Sequence, residues 1–172
     1  MAIAHPSKLL AGALLLGTTL SALTPAPAQA QPAYGSYIGV GLAAGQKNST
    51  SEGLDLAGVI AGRYKLLEFP ISLRGQAIID DQSIAFVPTV SYDFPLTWQL
   101  EPYVGAGVAF TNANSVVGDK TSFVIQPGVD YSIPNSRIVL FGNAMIAIDA
   151  YNAGEKEGDT AVSVQTGLGY RF

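Results

Sequence analysis

The sequence predicts an all-β fold, an eight-stranded antiparallel up-and-down transmembrane β-barrel, and three observations lead to this prediction. The chain of 172 residues is 48% apolar, yet beyond Leu23 no segment approaches the ~20 continuous apolar residues of a membrane-spanning helix. Eight short stretches of strand-like composition are separated by turn-forming residues. Within those stretches the apolar side chains share one face, and the charged side chains fall on the opposite face.

The N-terminal segment has the pattern of a secretory signal peptide. Lys8 precedes an apolar run from Leu9 to Leu23, and the following residues end in the small-x-small triplet Ala28-Gln29-Ala30, after which cleavage is expected. A retained anchor is disfavoured because the run is shorter than the ~20 apolar residues that a spanning helix needs. The predicted organisation is therefore a cleaved signal peptide at 1–30 and a β-barrel domain at 31–172.

Charge and cysteine content exclude several classes of function. Cleavage would remove Lys8 and the only histidine, His5, which leaves eight basic residues against thirteen acidic ones. Such a chain has no basic face for phosphates, so a nucleic-acid partner is not expected. The chain contains no cysteine, which rules out disulfides, thiol catalysis and cysteine-ligated metal.

Clusters of Gly, Asn, Asp, Ser and Pro separate the predicted strands. In chain order the strands are Tyr34–Ala44, Leu54–Leu66, Ile71–Ile79, Ile84–Phe94, Trp98–Phe110, Thr121–Tyr131, Arg137–Asp149 and Thr160–Phe172. Polar loops are predicted at Gly45–Gly53, Asp80–Ser83, Thr111–Lys120 and Ala150–Asp159, and tighter turns at Leu67–Pro70, Pro95–Thr97 and Ser132–Ser136. Loops at one end and turns at the other, beside both termini, are typical of an up-and-down outer-membrane barrel.

The phase of each strand assigns an inward and an outward face. The first strand sets Ile38, Val40 and Leu42 against Gly39 and Gly41. When hydrophobicity alone chooses the outward face, the charged residues of the strands all fall inward: Asp55, Arg63, Lys65, Arg74, Asp93, Glu101, Asp130, Arg137, Asp149 and Arg171. A charge facing lipid at mid-membrane costs roughly 2–4 kcal/mol. A soluble ligand-binding barrel, the alternative, would need the opposite arrangement.

Aromatic residues gather at the strand ends near the predicted turns. Rings at the boundary between lipid and water favour the headgroup region, so they predict an interfacial girdle. The outward residues of this girdle are Tyr34, Tyr64, Tyr92, Phe94, Trp98, Tyr131, Tyr170 and Phe172, and a sparser set at the loop end is Phe86, Phe110 and Phe123.

Both ends of the predicted domain resemble a known family. The closing segment Gln165-Thr-Gly-Leu-Gly-Tyr-Arg-Phe172 and the opening segment Tyr34-Gly-Ser-Tyr-Ile-Gly-Val-Gly-Leu42 are similar to those of the eight-stranded OmpA/OmpX/opacity-type outer-membrane β-barrel superfamily. The resemblance implies an integral protein of the bacterial outer membrane, with lipid and lipopolysaccharide around it. It also implies that Tyr170 and Phe172 act as a C-terminal assembly signal for the barrel-assembly machinery, with periplasmic chaperones as partners during biogenesis.

No catalytic, cofactor or metal site is predicted. Barrels of this size include lipid A deacylases and acyltransferases, which pair a serine with a histidine base or its equivalent. The predicted mature chain lacks histidine, and a serine without a positioned base is a weak nucleophile. Acidic loop residues such as Glu155, Glu157 and Asp159 offer oxygens to Ca²⁺, but their spacing matches no defined motif, so a hydrated acidic fringe is favoured.

The interior is predicted to hold a charge network formed by Arg63, Arg74, Glu101, Asp130 and Arg171, in which Glu101 pairs with Arg74 or Arg63. An eight-stranded barrel is only just wide enough for its side chains to fill, so no continuous aqueous pore is expected. The favoured function is a non-enzymatic, monomeric outer-membrane protein with a structural or surface-interaction role. A narrow porin-like channel for ions or small solutes is the alternative.

Overall fold

The computed structural model describes residues 35–46, 53–66, 68–152 and 158–172. The predicted signal peptide, Tyr34, Glu155 and Glu157 lie outside the described residues. The strands are β1 Tyr37–Gly45, β2 Asp55–Leu66, β3 Ile71–Ile79, β4 Ile84–Asp93, β5 Leu100–Thr111, β6 Ser122–Ser132, β7 Ile138–Ile148 and β8 Ala161–Arg171. All sixteen strand ends lie within three residues of their predicted positions. In the described ranges no helix is long and apolar enough to cross a membrane.

The eight strands form one closed antiparallel barrel. Each strand pairs with the next in sequence, and β8 pairs with β1, where Tyr37 lies opposite Arg171. Closure leaves no sheet edge with unpaired backbone groups, which is the condition a β-structure must meet in hydrocarbon. The predicted fold class is therefore confirmed. We call the two ends the turn end, which holds the β2–β3, β4–β5 and β6–β7 connections, and the loop end.

The outward face of the barrel is apolar and the inward face is buried. Along β1 the outward Ile38, Val40 and Leu42 are 58–66% exposed, whereas the inward Ala43 is fully buried. The described members of the predicted turn-end girdle are all exposed: Tyr64, Tyr92, Phe94, Trp98, Tyr131, Tyr170 and Phe172. A soluble barrel would present polar side chains here, so this distribution favours a barrel surrounded by lipid.

Glycines on the inward face make room for two aromatic rings at the seam between β1 and β8. Tyr37 and Phe141 are stacked inside the barrel, with ring centroids 6.0 Å apart. A Cβ on Gly169 would lie 2.7 Å from the Tyr37 ring, and one on Gly167 would lie 2.5 Å from Phe141. Larger residues at these two positions would therefore displace the rings that fill the interior.

Two of the charges that were predicted to face inward lie outside the strands. Arg137 precedes β7 and is exposed, and it donates a hydrogen bond to the Tyr170 hydroxyl. Asp149 follows β7 with a φ of 55° and forms an exposed ion pair with Lys120. The inward prediction was wrong for both because alternation fixes the direction of a side chain only while the chain stays in the β-ladder.

Candidate functional site

Five neighbouring strands bring charged side chains together inside the turn end. Because the period of a strand is two, Arg63 and Lys65 on β2 point inward together, and Arg74 on β3 lies directly opposite Arg63. All of these charged residues are buried, and we call them the charge cluster: Arg63, Lys65, Arg74, Asp93, Glu101 and Asp130. Its three cations and three anions balance.

Arg63 lies at the centre of the charge cluster. Its guanidinium contacts three carboxylates, at 2.8 Å from Glu101, 2.9 Å from Asp93 and 2.9 Å from Asp130. Lys65 Nζ lies 2.5 Å from Glu101 Oε1 and 2.8 Å from Asp93 Oδ2. A planar guanidinium with five donors suits this bridging position, while the compact ammonium of Lys65 contacts the other carboxylate oxygen of Glu101.

Arg74 closes the cluster on its other side. One of its terminal nitrogens lies 2.9 Å from Asp130 and 3.3 Å from Asp93, and its guanidinium carbon stands 3.3 Å from the centroid of the Tyr103 ring. The Tyr37 hydroxyl donates a hydrogen bond of 3.0 Å to Asp130 Oδ1. These neutral partners matter because buried charges are tolerated only when their remaining hydrogen-bonding groups are also satisfied.

Two buried serines complete the hydrogen bonding. Ser72 accepts from Arg63 Nε at 3.0 Å and donates to Asp93. Ser91 accepts from Arg74 Nε and donates to Asp93 Oδ1, both at 2.9 Å. Asp93 thereby joins both arginines through direct and serine-mediated contacts.

The structure places four of the five residues of the predicted network in the charge cluster, and it places Arg171 elsewhere. Arg171 ends β8, half-buried at the rim, where it donates to the Ser132 hydroxyl at 3.4 Å and to the Ser136 carbonyl at 3.0 Å. Its position at the last pair of the ladder directs it to the β6–β7 turn, so its inclusion in the network is corrected. Glu101 pairs with Arg63 and Lys65, not with Arg74. Lys65 and Asp93, which were predicted to face inward, also belong to the cluster.

Above the charge cluster, the middle of the interior is polar but uncharged. Thr89 donates a hydrogen bond of 2.7 Å to Gln126 Oε1, and Gln165 Nε2 donates one of 3.3 Å to Ser163. Each of the amide and hydroxyl side chains of this middle layer is at most 5% exposed: Gln76, Thr89, Gln126, Asn143, Ser163 and Gln165.

The loop end is filled by apolar side chains, and a connecting loop folds over them. The inward residues here include Ala43, Val59, Ile78, Ala85, Val87, Val124, Met145 and Ala147. In the β5–β6 loop, Ser115 and Gly118 exchange backbone hydrogen bonds of 2.9 and 3.1 Å. The turn between them buries Val116 and Val117 almost completely. A Cβ on Gly45 would lie 3.0 Å from the Val116 carbonyl oxygen, so the loop packs directly on β1.

The β7–β8 connection holds this loop in place. The Ala150 carbonyl accepts hydrogen bonds from the backbone nitrogens of Asp119 and Lys120 at 2.9 and 3.3 Å. Tyr151 donates its hydroxyl proton to the Gln46 carbonyl at 3.0 Å. Burial, with Asp119 and Asp159 nearby, raises the pKa of Tyr151, so it stays a neutral donor. We call residues 115–118 with Ala150 and Tyr151 the loop-end cap. The sequence predicts a polar loop at residues 111–120, and the Val116-Val117 pair is its one feature that indicates the cap.

The interior is therefore packed in three successive layers. A channel wide enough for water would leave the side chains that line it accessible, whereas the inward residues of all three layers are buried.

Among the described residues, no group of three or more His, Cys, Asp and Glu side chains is arranged to hold a metal ion. Chemically, the arrangement resembles a protein core with a neutralised ionic layer.

Comparison with known proteins defines the fold. No protein-family model and no curated protein matches the chain. Three solved structures are similar, and each match covers 80% of this chain. A de novo designed transmembrane β-barrel matches with a TM-score of 0.55 and 14% identity over 96% of its own length. Neisserial surface protein A matches with a TM-score of 0.54 and 15% identity over 97% of its length, and the Yersinia pestis outer membrane protein Ail, in a phospholipid bilayer nanodisc, with a TM-score of 0.52 and 16% identity over 98%. At these identities the likeness shows the fold alone: this chain has the fold of the small transmembrane β-barrels.

Proposed function

We propose that this protein is a non-enzymatic integral β-barrel of the bacterial outer membrane, of the OmpA/OmpX/opacity type, with a structural or surface-interaction role. One observation carries the proposal: the outward face is apolar while the charge cluster is buried inside the wall. This distribution is stable in lipid, which solvates the outer side chains and leaves the ionic groups to pair with one another.

The proposed location rests on the same distribution, and the proposed partners rest on the family resemblance. Two of the similar structures are named as a surface protein and an outer membrane protein, which supports the same compartment here. We propose that the signal peptide at 1–30 is cleaved on export and that the barrel is a monomer. Outer-membrane lipid and lipopolysaccharide surround it, and the barrel-assembly machinery and periplasmic chaperones act on it during biogenesis. In this topology the loop end faces the outside of the cell.

The packed interior favours a structural role over a narrow channel. A conduit needs a continuous wet path, whereas the charge cluster, the middle layer and the loop-end cap each fill the cross-section with buried side chains. The three cations and three anions also neutralise one another, so they offer no uncompensated charge for selecting a permeant ion.

The membrane assignment is tested by expressing the full precursor in a Gram-negative host. We expect the protein in isolated outer membranes, a faster-migrating band in SDS without boiling, and a mature N-terminus that starts at Gln31. The fast band would reflect a closed barrel that resists detergent. A soluble periplasmic protein that shows no shift on boiling would overturn the assignment and favour a ligand-binding soluble barrel.

The choice between the two roles is tested by conductance. Purified protein that shows the fast-migrating band is reconstituted in planar bilayers, and we expect no discrete conductance steps. Reproducible steps that Arg74→Gln or Glu101→Gln abolishes would favour the channel instead.

A further inference from the structure

An apolar groove runs along the outer wall at the turn end, across the seam between β8 and β1. It is a shallow, open groove with a volume of about 380 Å³. The lining residues are Ile38, Gly39, Val40, Ile60, Ile138, Leu168, Gly169 and Tyr170. The outward side chains of Ile38, Val40, Leu168 and Tyr170 form its walls, while Gly39 and Gly169, which face inward and lie opposite each other in the ladder, contribute only backbone to its floor.

A cation stands at the turn-end mouth of this groove. Arg137 is exposed, is bonded to Ile138 in sequence, and donates from Nη1 to the Tyr170 hydroxyl at 3.3 Å. Both Ile138 and Tyr170 line the groove. Among the described residues no carboxylate forms a salt bridge with Arg137, in contrast to Lys120 at the loop end, which pairs with Asp149. The guanidinium therefore has donors left at the height of the aromatic girdle.

We infer that this groove binds an anionic glycerophospholipid, with one acyl chain against the aliphatic walls and the headgroup phosphate on Arg137. The inference rests on the proposed insertion in a membrane, where the turn end lies in the leaflet on the periplasmic side. An exposed arginine beside interfacial aromatic residues is at the depth where phosphates lie, and its planar fork matches phosphate oxygens. Charge complementarity and apolar shape thus converge on one amphipathic ligand.

A second groove on the outer wall can be compared with the groove at the seam between β8 and β1. It lies on the wall formed by β3 to β6, is larger at about 540 Å³, and is lined by Ile71, Val90, Ser91, Tyr92, Val104, Gly105, Ala106, Phe123 and Ile125. No charged side chain lines it. It therefore offers any acyl chain a surface but gives no preference for a headgroup, and it serves as an internal comparison.

The test is native mass spectrometry of detergent-solubilised protein that has first shown the fast-migrating band in SDS. The probes are dioleoylphosphatidylglycerol and dioleoylphosphatidylethanolamine at equal concentration. One basic residue near a membrane surface favours an anionic lipid by about fivefold, so we expect about fivefold more phosphatidylglycerol than phosphatidylethanolamine bound. Arg137→Gln should bring this ratio close to one, and Arg137→Lys should keep most of it.

Matched variants separate the groove from general effects of charge and bulk. Lys120→Gln removes a cation at the loop end and should leave the ratio unchanged. Val40→Trp fills the groove and should lower the binding of both lipids, whereas Val162→Trp, also outward but at the loop end, should not. Equal binding of the two lipids by the wild type, or an unchanged ratio in Arg137→Gln, overturns the lipid site while the membrane barrel stands. Absence of the fast-migrating band overturns both.

Discussion

The charge cluster keeps six ionised side chains in the interior of the barrel by satisfying almost every donor and acceptor within the cluster. Arg63 alone contacts three carboxylates, and Ser72, Ser91 and Tyr37 supply the neutral partners. Removing water from an ion costs several kcal/mol, and pairing repays that cost only when the geometry is nearly complete. The cluster is therefore sensitive to the loss of one member, and less sensitive to the loss of a balanced pair.

Replacing Glu101 by Ala should destabilise the barrel. The change leaves three buried cations against two anions and removes the partner that Lys65 and Arg63 share. Breaking a buried pair typically costs about 3–5 kcal/mol, so the urea midpoint of unfolding from lipid vesicles should fall. The exposed Glu68 in the β2–β3 turn provides the control, since Glu68→Ala should leave the midpoint unchanged. Unaltered urea resistance in Glu101→Ala would contradict a stabilising cluster.

The balanced variant Lys65→Met with Glu101→Met sharpens this test. It removes one charge of each sign and leaves two cations with two anions. We expect it to recover most of the stability that Glu101→Ala loses, because well-packed apolar residues often replace a buried ion pair without loss. A double variant as unstable as the single one would mean that Glu101 acts by packing rather than by charge.

The sequence predicted the inward charges wherever the chain is held in the ladder. Arg63, Arg74, Glu101 and Asp130 lie inside because alternation along a paired strand leaves a side chain no other direction. Arg137 and Asp149 lie beyond strand ends, where the local turn decides the direction. Arg171 lies in the last ladder pair and contacts Ser132 at the rim. The sequence predicted that Glu101 pairs with Arg74 or Arg63 but could not choose between them, because the pairing depends on the stagger between strands that are distant in sequence.

At the scale of the element, the strands were predictable and the loop-end cap was not. Apolar and polar residues alternate in β1, β5 and β8 with a period that only a strand explains. The β5–β6 loop has no such period. Its inward fold depends on tertiary contacts of Val116 with β1 and of Asp119 and Lys120 with Ala150, and these contacts join segments that are far apart in the chain.

Val116→Asp should open the loop-end cap while leaving the barrel closed. Burying an unpartnered polar group costs about 1–3 kcal/mol, which raises the population of the open loop roughly 5–150-fold. Lys120 lies in this loop, so trypsin cleavage after Lys120 in intact vesicles should accelerate by a similar factor. Val116→Ile keeps the site apolar and is the control. Equal cleavage of both variants would show that the cap does not limit access to Lys120.

Phe172 should matter for assembly more than for the stability of the finished barrel. Its side chain is 72% exposed, and it follows the last ladder pair of β8. The family resemblance predicts that Phe172, together with Tyr170, acts as the C-terminal assembly signal. Phe172→Ser should therefore reduce the amount of barrel in outer membranes severalfold, while the assembled fraction keeps nearly the wild-type urea midpoint. Matched losses of yield and of stability would indicate a purely structural role.

At the scale of the whole molecule, the interior is packed like the core of a small protein, and the outer surface is apolar, as a surface that faces lipid must be. The interior changes along its length from ionic at the turn end to apolar at the loop end, with amides between. The buried middle layer distinguishes a packed barrel from a pore that is closed only at its ends, because such a pore needs an open path between the two closures. Here Gln76, Gln126, Asn143 and Gln165 fill the middle as completely as the ends.

Disrupting both ends at once should therefore leave the barrel non-conducting. Glu101→Ala perturbs the charge cluster and Val116→Asp perturbs the loop-end cap, but neither touches the buried side chains between them. We expect the combined variant, purified as a barrel that still migrates fast in SDS, to show no discrete steps in planar bilayers. A larger porin reconstituted in the same way verifies that inserted channels are detected. Steps in the combined variant but not in the wild type would mean that the two ends gate an open middle, and would shift the proposed role from a structural barrel to a closed conduit.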